Sequence, residues 1–86
     1  MPEAARFFGV VIRIHFGDHE PPHFHAIYGS EEALVEIETL ETYRGVLPRR
    51  ALALVLEWAA MHRRELRDDW DMAQRGESIE RIPPLD

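Results

Sequence analysis

The stretch "HFGDHEPPHFHAIYG", residues 15–29, carries His15, His19, His23 and His25, four of the chain's five histidines. Imidazole titrates near neutral pH and ligates metals through a neutral ring nitrogen, so such a cluster points to proton transfer or to a metal site. Three imidazoles with a carboxylate suit zinc, nickel or copper, which puts forward His15, His23 and His25 as ligands of a divalent transition metal. Arg13 beside them opposes a cation. The same residues also supply the parts for metal-independent RNA cleavage. Arg13 would hold a phosphate, His23 and His25 would share general base and acid roles, and Glu36 or Glu38 would orient a ring. The third alternative is a solvated sheet face whose charges pair across strands, each pair contributing only about tenths of a kcal/mol.

Strands must position these groups, because the first half of the chain alternates with period two. In "FFGVVIRIHF", Phe8, Val10, Ile12, Ile14 and Phe16 share one face. In "HFHAIY", Phe24, Ala26 and Tyr28 oppose His23, His25 and Ile27. Residues facing each other in an antiparallel pair lie on the same side of the sheet. Setting Val10 against Tyr28, Ile12 against Ala26, Ile14 against Phe24 and Phe16 against Pro22 makes every pair apolar. Arg13 then faces His25, and His15 faces His23. A turn at "GSEE" sets Tyr28 against Ala33, His25 against Glu36 and His23 against Glu38. The polar face therefore gathers Arg13, His15, His23, His25, Glu36 and Glu38, with His19 apart in the turn. "TYRGVL" suits a fourth strand.

The second half has helical spacing. Pro48 suits a first turn, and Leu52, Val55, Leu56 and Ala59 form an apolar stripe in "PRRALALVLEWAAMHRREL". Leu54, Trp58 and Met61 widen that stripe beyond what one sheet contact needs, and form the expected interface with a second helix, a second copy or a partner. Asp68 is positioned to cap a shorter helix, "DWDMAQR", with Gly76 as its stop. His62 falls within the apolar arc as a half-buried histidine. The expected fold is α+β: a three- to four-stranded antiparallel meander packed on one long and one short C-terminal helix. It forms a single domain over 1–86, with strands about 7–46, helices about 48–76 and an extended tail 77–86.

Composition narrows the classes. A chain of 86 residues buries a modest core. There is no cysteine, which excludes disulfides and thiolate metal sites. The formal charge of −6 opposes binding to nucleic acid by charge alone, although all ten basic residues are arginine, which grips phosphate well. Arg13 and His15 interrupt the N-terminal apolar run, so no membrane segment is expected and a cytoplasmic location is.

"RFFGVVIRIHFGDHEPPHFHAIYG", "LPRRALALVLEWAAMHRREL" and the later "DW..A..GE...RI.PL" resemble the small bacterial domain-of-unknown-function family 4160 along nearly the whole chain. The most specific element is D-x-x-PPHFH-x-x-Y-G, here Asp18, Pro21, Pro22, His23, Phe24, His25, Tyr28 and Gly29. The resemblance brings no established catalytic residues. Members are often encoded beside family 2442 in two-gene arrangements like toxin–antitoxin modules. It thus implies a toxin-like component of such a pair, acting through the small protein of a neighbouring gene and on RNA. A metal-binding module using the histidines and a non-catalytic interaction domain are the alternatives.

Overall fold

The computed structural model describes residues 2–86. Strands β1 (Glu3–Phe7), β2 (Val10–Arg13), β3 (His23–Tyr28), β4 (Glu31–Glu36) and β5 (Thr42–Gly45) precede helices α1 (Arg49–Met61) and α2 (Arg63–Gln74). The strands form one antiparallel sheet in the order β1-β2-β3-β4-β5. The α+β class and the meander match the expectation; the number of strands does not.

The additional strand comes from the N-terminus. Phe8 and Gly9 both take positive φ, 45° and 82°, as a two-residue hairpin turn demands, and fold β1 back onto β2 with Phe7 opposite Val10. Apolar alternation runs straight through this turn, which is why one long strand was expected. Phe8 and Phe16, expected on the core face, are instead 59% and 52% exposed, one in the turn and the other beyond the end of β2.

The β2–β3 register matches the apolar pairing: Val10 faces Tyr28, Ile12 faces Ala26 and Arg13 faces His25. The β3–β4 register differs by two residues, with Ala26 opposite Ala33, Phe24 opposite Val35, His25 opposite Leu34 and His23 opposite Glu36. The turn consumes only Gly29 and Ser30, so Glu31 and Glu32 join β4 rather than the turn. A two-residue shift keeps every side chain on its face. It changes which acid stands near which histidine.

Val10, Ile12, Phe24, Ala26, Ala33 and Val35 share one buried core with Ala51, Val55, Trp58 and Ala59 of α1 and Leu66, Trp70 and Ala73 of α2. The helices divide at His62 (φ −129°, ψ 28°), not before Asp68, which lies inside α2. A single helix from Pro48 through Leu66 would run roughly 28 Å. A six-residue strand spans only about 20 Å. Breaking at His62 turns Leu66 and Trp70 back into the core. Gly76 does stop α2: it has φ 74°, its N–H donates to the Ala73 carbonyl (3.1 Å), and the Glu77 N–H donates to that of Met72 (2.9 Å). Among the described residues, no helix is long and apolar enough to cross a membrane.

The tail after Gly76 is pinned along the domain. The Ile82 N–H donates to the Ala4 carbonyl (2.8 Å), and the Glu80 N–H donates to Asp69 Oδ1 (3.1 Å). Asp69 is only 2% exposed, and its Oδ2 is buried without a partner. Burial, helped by the charges of Glu80, Asp68 and Glu65, pushes its carboxyl up to about 6, against the lowering effect of the Glu80 N–H. Folding thus favours the protonated acid. That contribution is complete below the ordinary value of 3.8 and is lost as pH rises through about 6. Over that interval Asp69 is expected to cost the fold on the order of 2 kcal/mol. Thermal midpoints measured from pH 4 to 7 should fall less in Asp69→Asn than in the wild type; parallel profiles would contradict this.

Candidate functional site

The histidine cluster is built where β2 ends and the chain loops back into β3. Ile14 keeps its side chain in the core, and His15 turns to the opposite face. The loop then folds over that face. Backbone bonds from Gly17 N–H to Ala73 O (3.4 Å) and from Ile37 N–H to Pro22 O (3.0 Å) hold it. The Gln74 side-chain amide adds a bond to the Asp18 carbonyl (3.1 Å). Strand alternation points His23 and His25 up beneath the loop, and Asp18 comes down to meet them.

Asp18 Oδ2 is 2.9 Å from His23 Nε2, 2.9 Å from His25 Nε2 and 4.0 Å from His15 Nδ1. The other nitrogen of each strand histidine is also engaged. His23 Nδ1–H donates to the Pro21 carbonyl (2.7 Å), and His25 Nδ1–H donates to Glu32 Oε2 (2.7 Å). The His15 and His25 rings stack at 3.7 Å and 15°. His23 lies against Trp70 (5.2 Å) and meets the ring of Tyr43 edge-on (5.6 Å).

A solvated face was expected, yet His23 and His25 are only 2% and 8% exposed. The 14–22 loop, Trp70 and Tyr43 cover positions that a bare sheet leaves open. Both nitrogens of His23 are engaged within the chain, as are both of His25.

Proton accounting defines the chemistry. A neutral imidazole has one N–H. With Nδ1–H committed to Pro21 or Glu32, each Nε2 presents a lone pair to a carboxylate oxygen. Two such contacts on one oxygen are favourable only if positive charge sits at the nitrogens, either as extra protons or as a shared cation. Stacking His15 on His25 opposes charging both rings. Burial, then the charge of His25, push the His15 ring below its ordinary value, and Arg13 adds to this against Asp18 and Glu32. Burial pushes the Asp18 carboxyl up, but hydrogen bonds from His25, the His19 backbone N–H and His23 outweigh it and hold it down at about 2. Asp18 is therefore an anion at any neutral pH.

His15 Nδ1, Asp18 Oδ2 and His25 Nε2 all lie within 4.8 Å of one another. Ligands about 2.0–2.2 Å from a shared ion are about 3–3.5 Å apart, so small side-chain shifts would close this set around a cation. Of the three histidines expected as ligands, the fold joins His15 and His25 through Asp18, while His23 grips the same carboxylate from its buried side. Asp18 was missed because it reads as turn punctuation; the signal was its three-residue spacing from His15 across Gly17. Glu36 stands opposite His23, and it is Glu32 that takes the ring-orienting role expected of Glu36 or Glu38. Glu38 pairs instead with Arg67. Arg13 faces His25, and its Nε is buried with no hydrogen-bond partner. His62 belongs to the helix break, paired with Glu65 (3.0 Å) and packed on Trp58 (5.4 Å). Of the expected interface, Trp58 is wholly buried within the chain, Leu54 is half-buried and Met61 is 59% exposed.

The model of a domain of unknown function, DUF4160, matches residues 9–71, a span that contains every residue of the cluster. No curated protein and no solved structure matches the chain.

Proposed function

The chain belongs to the DUF4160 family, and from that premise we propose that the domain is a metal-binding module. His15 Nδ1, Asp18 Oδ2 and His25 Nε2 hold a divalent transition-metal ion between them. The observation that carries this reading is that His15 Nδ1, Asp18 Oδ2 and His25 Nε2 lie within 4.8 Å of one another while Glu32 already engages His25 Nδ1. Metal-ligating histidines characteristically donate their other N–H to a carboxylate or a backbone carbonyl, which fixes the tautomer and raises basicity. Glu32 does this for His25. His23 Nε2 meets the same Asp18 oxygen from the buried side of the site. Two imidazoles and one carboxylate suit zinc, nickel, cobalt or ferrous iron. With three protein ligands the ion keeps a position open, the arrangement of reactive rather than purely structural sites.

Zinc titrated calorimetrically into the full chain at neutral pH is expected to bind as one equivalent. Affinity should fall steeply below pH ~6, because the ligating imidazoles must be neutral. His15 is the ligand least committed to the fold, so His15→Ala should weaken binding about a hundredfold or more while leaving the metal-free thermal midpoint nearly unchanged. A wild-type chain that gives no saturable heat overturns the reading.

A further inference from the structure

We infer that Arg13 forms an oxyanion subsite beside this ion, taking a phosphate or carboxylate group that bridges its guanidinium and the metal. The inference rests on the metal reading above. Arg13 closes β2 directly opposite His25 and, two residues before His15, lies on the same face of the sheet. It is half-buried, its Nε is fully buried with no hydrogen-bond partner, and it takes part in no ion pair among the described residues. Asp18 and Glu32, the acids of the cluster, are already held by histidines. A buried guanidinium N–H left without an acceptor is costly, and one placed beside a bound cation is costlier still.

An anion resolves both problems. A doubly charged ion together with Arg13 exceeds the charge of Asp18 and Glu32, so the loaded site carries surplus positive charge. The ion's open position and the guanidinium, carried on the sheet face that bears His25, then give an anion two attachment points. The planar fork of arginine matches two oxygens of a phosphate or carboxylate, which a spherical anion cannot satisfy. Arg13, an obstacle to a metal when weighed alone, becomes the group that selects what the metal binds.

Cobalt(II)-loaded full-length chain tests this through its visible spectrum and by calorimetry, with inorganic phosphate and acetate as separate probes. At least one anion is expected to bind saturably and shift the cobalt bands. In Arg13→Gln that affinity should fall about tenfold or more, while cobalt affinity stays equal or rises because a neighbouring cation is gone. Arg13→Lys keeps the charge and the apolar stem without the fork. It should recover binding only in part, and it carries the comparison if the glutamine variant does not fold. Anion binding unchanged in both variants with cobalt in place overturns the subsite and leaves the metal reading standing. Equal anion affinity without cobalt overturns the bridging position. A wild-type chain that takes up no cobalt overturns the metal reading and the subsite with it.

Discussion

Replacing Asp18 by alanine is expected to lower stability by about 2–4 kcal/mol and to abolish metal binding. Asp18 Oδ2 lies 2.9 Å from both His23 Nε2 and His25 Nε2, and Oδ1 accepts from the His19 backbone N–H. Hydrogen bonds to a charged partner contribute about 1.5–3 kcal/mol each, and they are not additive. Alanine leaves Nε2 of His23, a residue 2% exposed, buried without a partner. It also releases the loop that covers the cluster. Asp18→Asn keeps the shape and one acceptor but loses the charge, so it should fall between alanine and wild type. The sign of the pH dependence follows from the Asp18 carboxyl being held at about 2, below its ordinary 3.8. Its stabilising effect is complete above the ordinary value and is lost as pH falls through about 2. Urea midpoints of wild type and Asp18→Ala should therefore differ widely at pH 7 and converge near pH ~2. Equal midpoints at pH 7 would mean that the carboxylate does not organise the cluster.

The importance of Asp18 also marks where the sequence stops being readable. Alternation assigned His23 and His25 to one face and Phe24 and Ala26 to the other, and matching apolar pairs set the β2–β3 register correctly. Both inferences rest on periodicity, a property of neighbouring residues. The β3–β4 register depends on the turn at Gly29 and Ser30, and the faces come out identical whether the turn has two residues or four. A four-residue turn takes up Glu32 and brings Glu36 and Glu38 to the histidines; the two-residue turn brings Glu32 to His25 and Glu36 to His23. The break at His62 has no glycine or proline to announce it; it answers to the length of the sheet that the helices must cover. Burial of the histidines was illegible for a similar reason. It is produced by the 14–22 loop, by Trp70 from α2 and by Tyr43 from β5, which only the tertiary fold brings together. The missing β1 hides behind a positive-φ phenylalanine, Phe8, at a position where glycine or asparagine would have signalled a turn.

Trp58→Ala is expected to be the most damaging single change in the domain. The wide apolar arc on α1 suggested that Trp58, Leu54 and Met61 together face a second helix, a second copy or a partner. Trp58 instead packs against Phe7 (5.3 Å), Phe24 (6.1 Å) and His62 (5.4 Å), with no exposed surface. Its indole N–H donates to the Pro83 carbonyl (2.8 Å), tying the tail to the core. Truncating a buried aromatic to alanine costs about 3–5 kcal/mol. A domain this size has stability of that order to lose, so the variant should be largely unfolded at ambient temperature by circular dichroism. Trp58→Phe retains most of the packing and loses the bond to Pro83, a cost nearer 1 kcal/mol. Its fold should survive while the tail beyond Gly76 becomes easier to cleave by protease. The interface idea predicts a different pattern, in which the alanine variant stays folded and only loses association. On the present geometry that pattern belongs to Met61, whose side chain is 59% exposed. Met61→Glu should leave the melting temperature within about a degree or two of wild type. A folded, stable Trp58→Ala chain would show that the core is not centred on this residue and would return Trp58 to the surface.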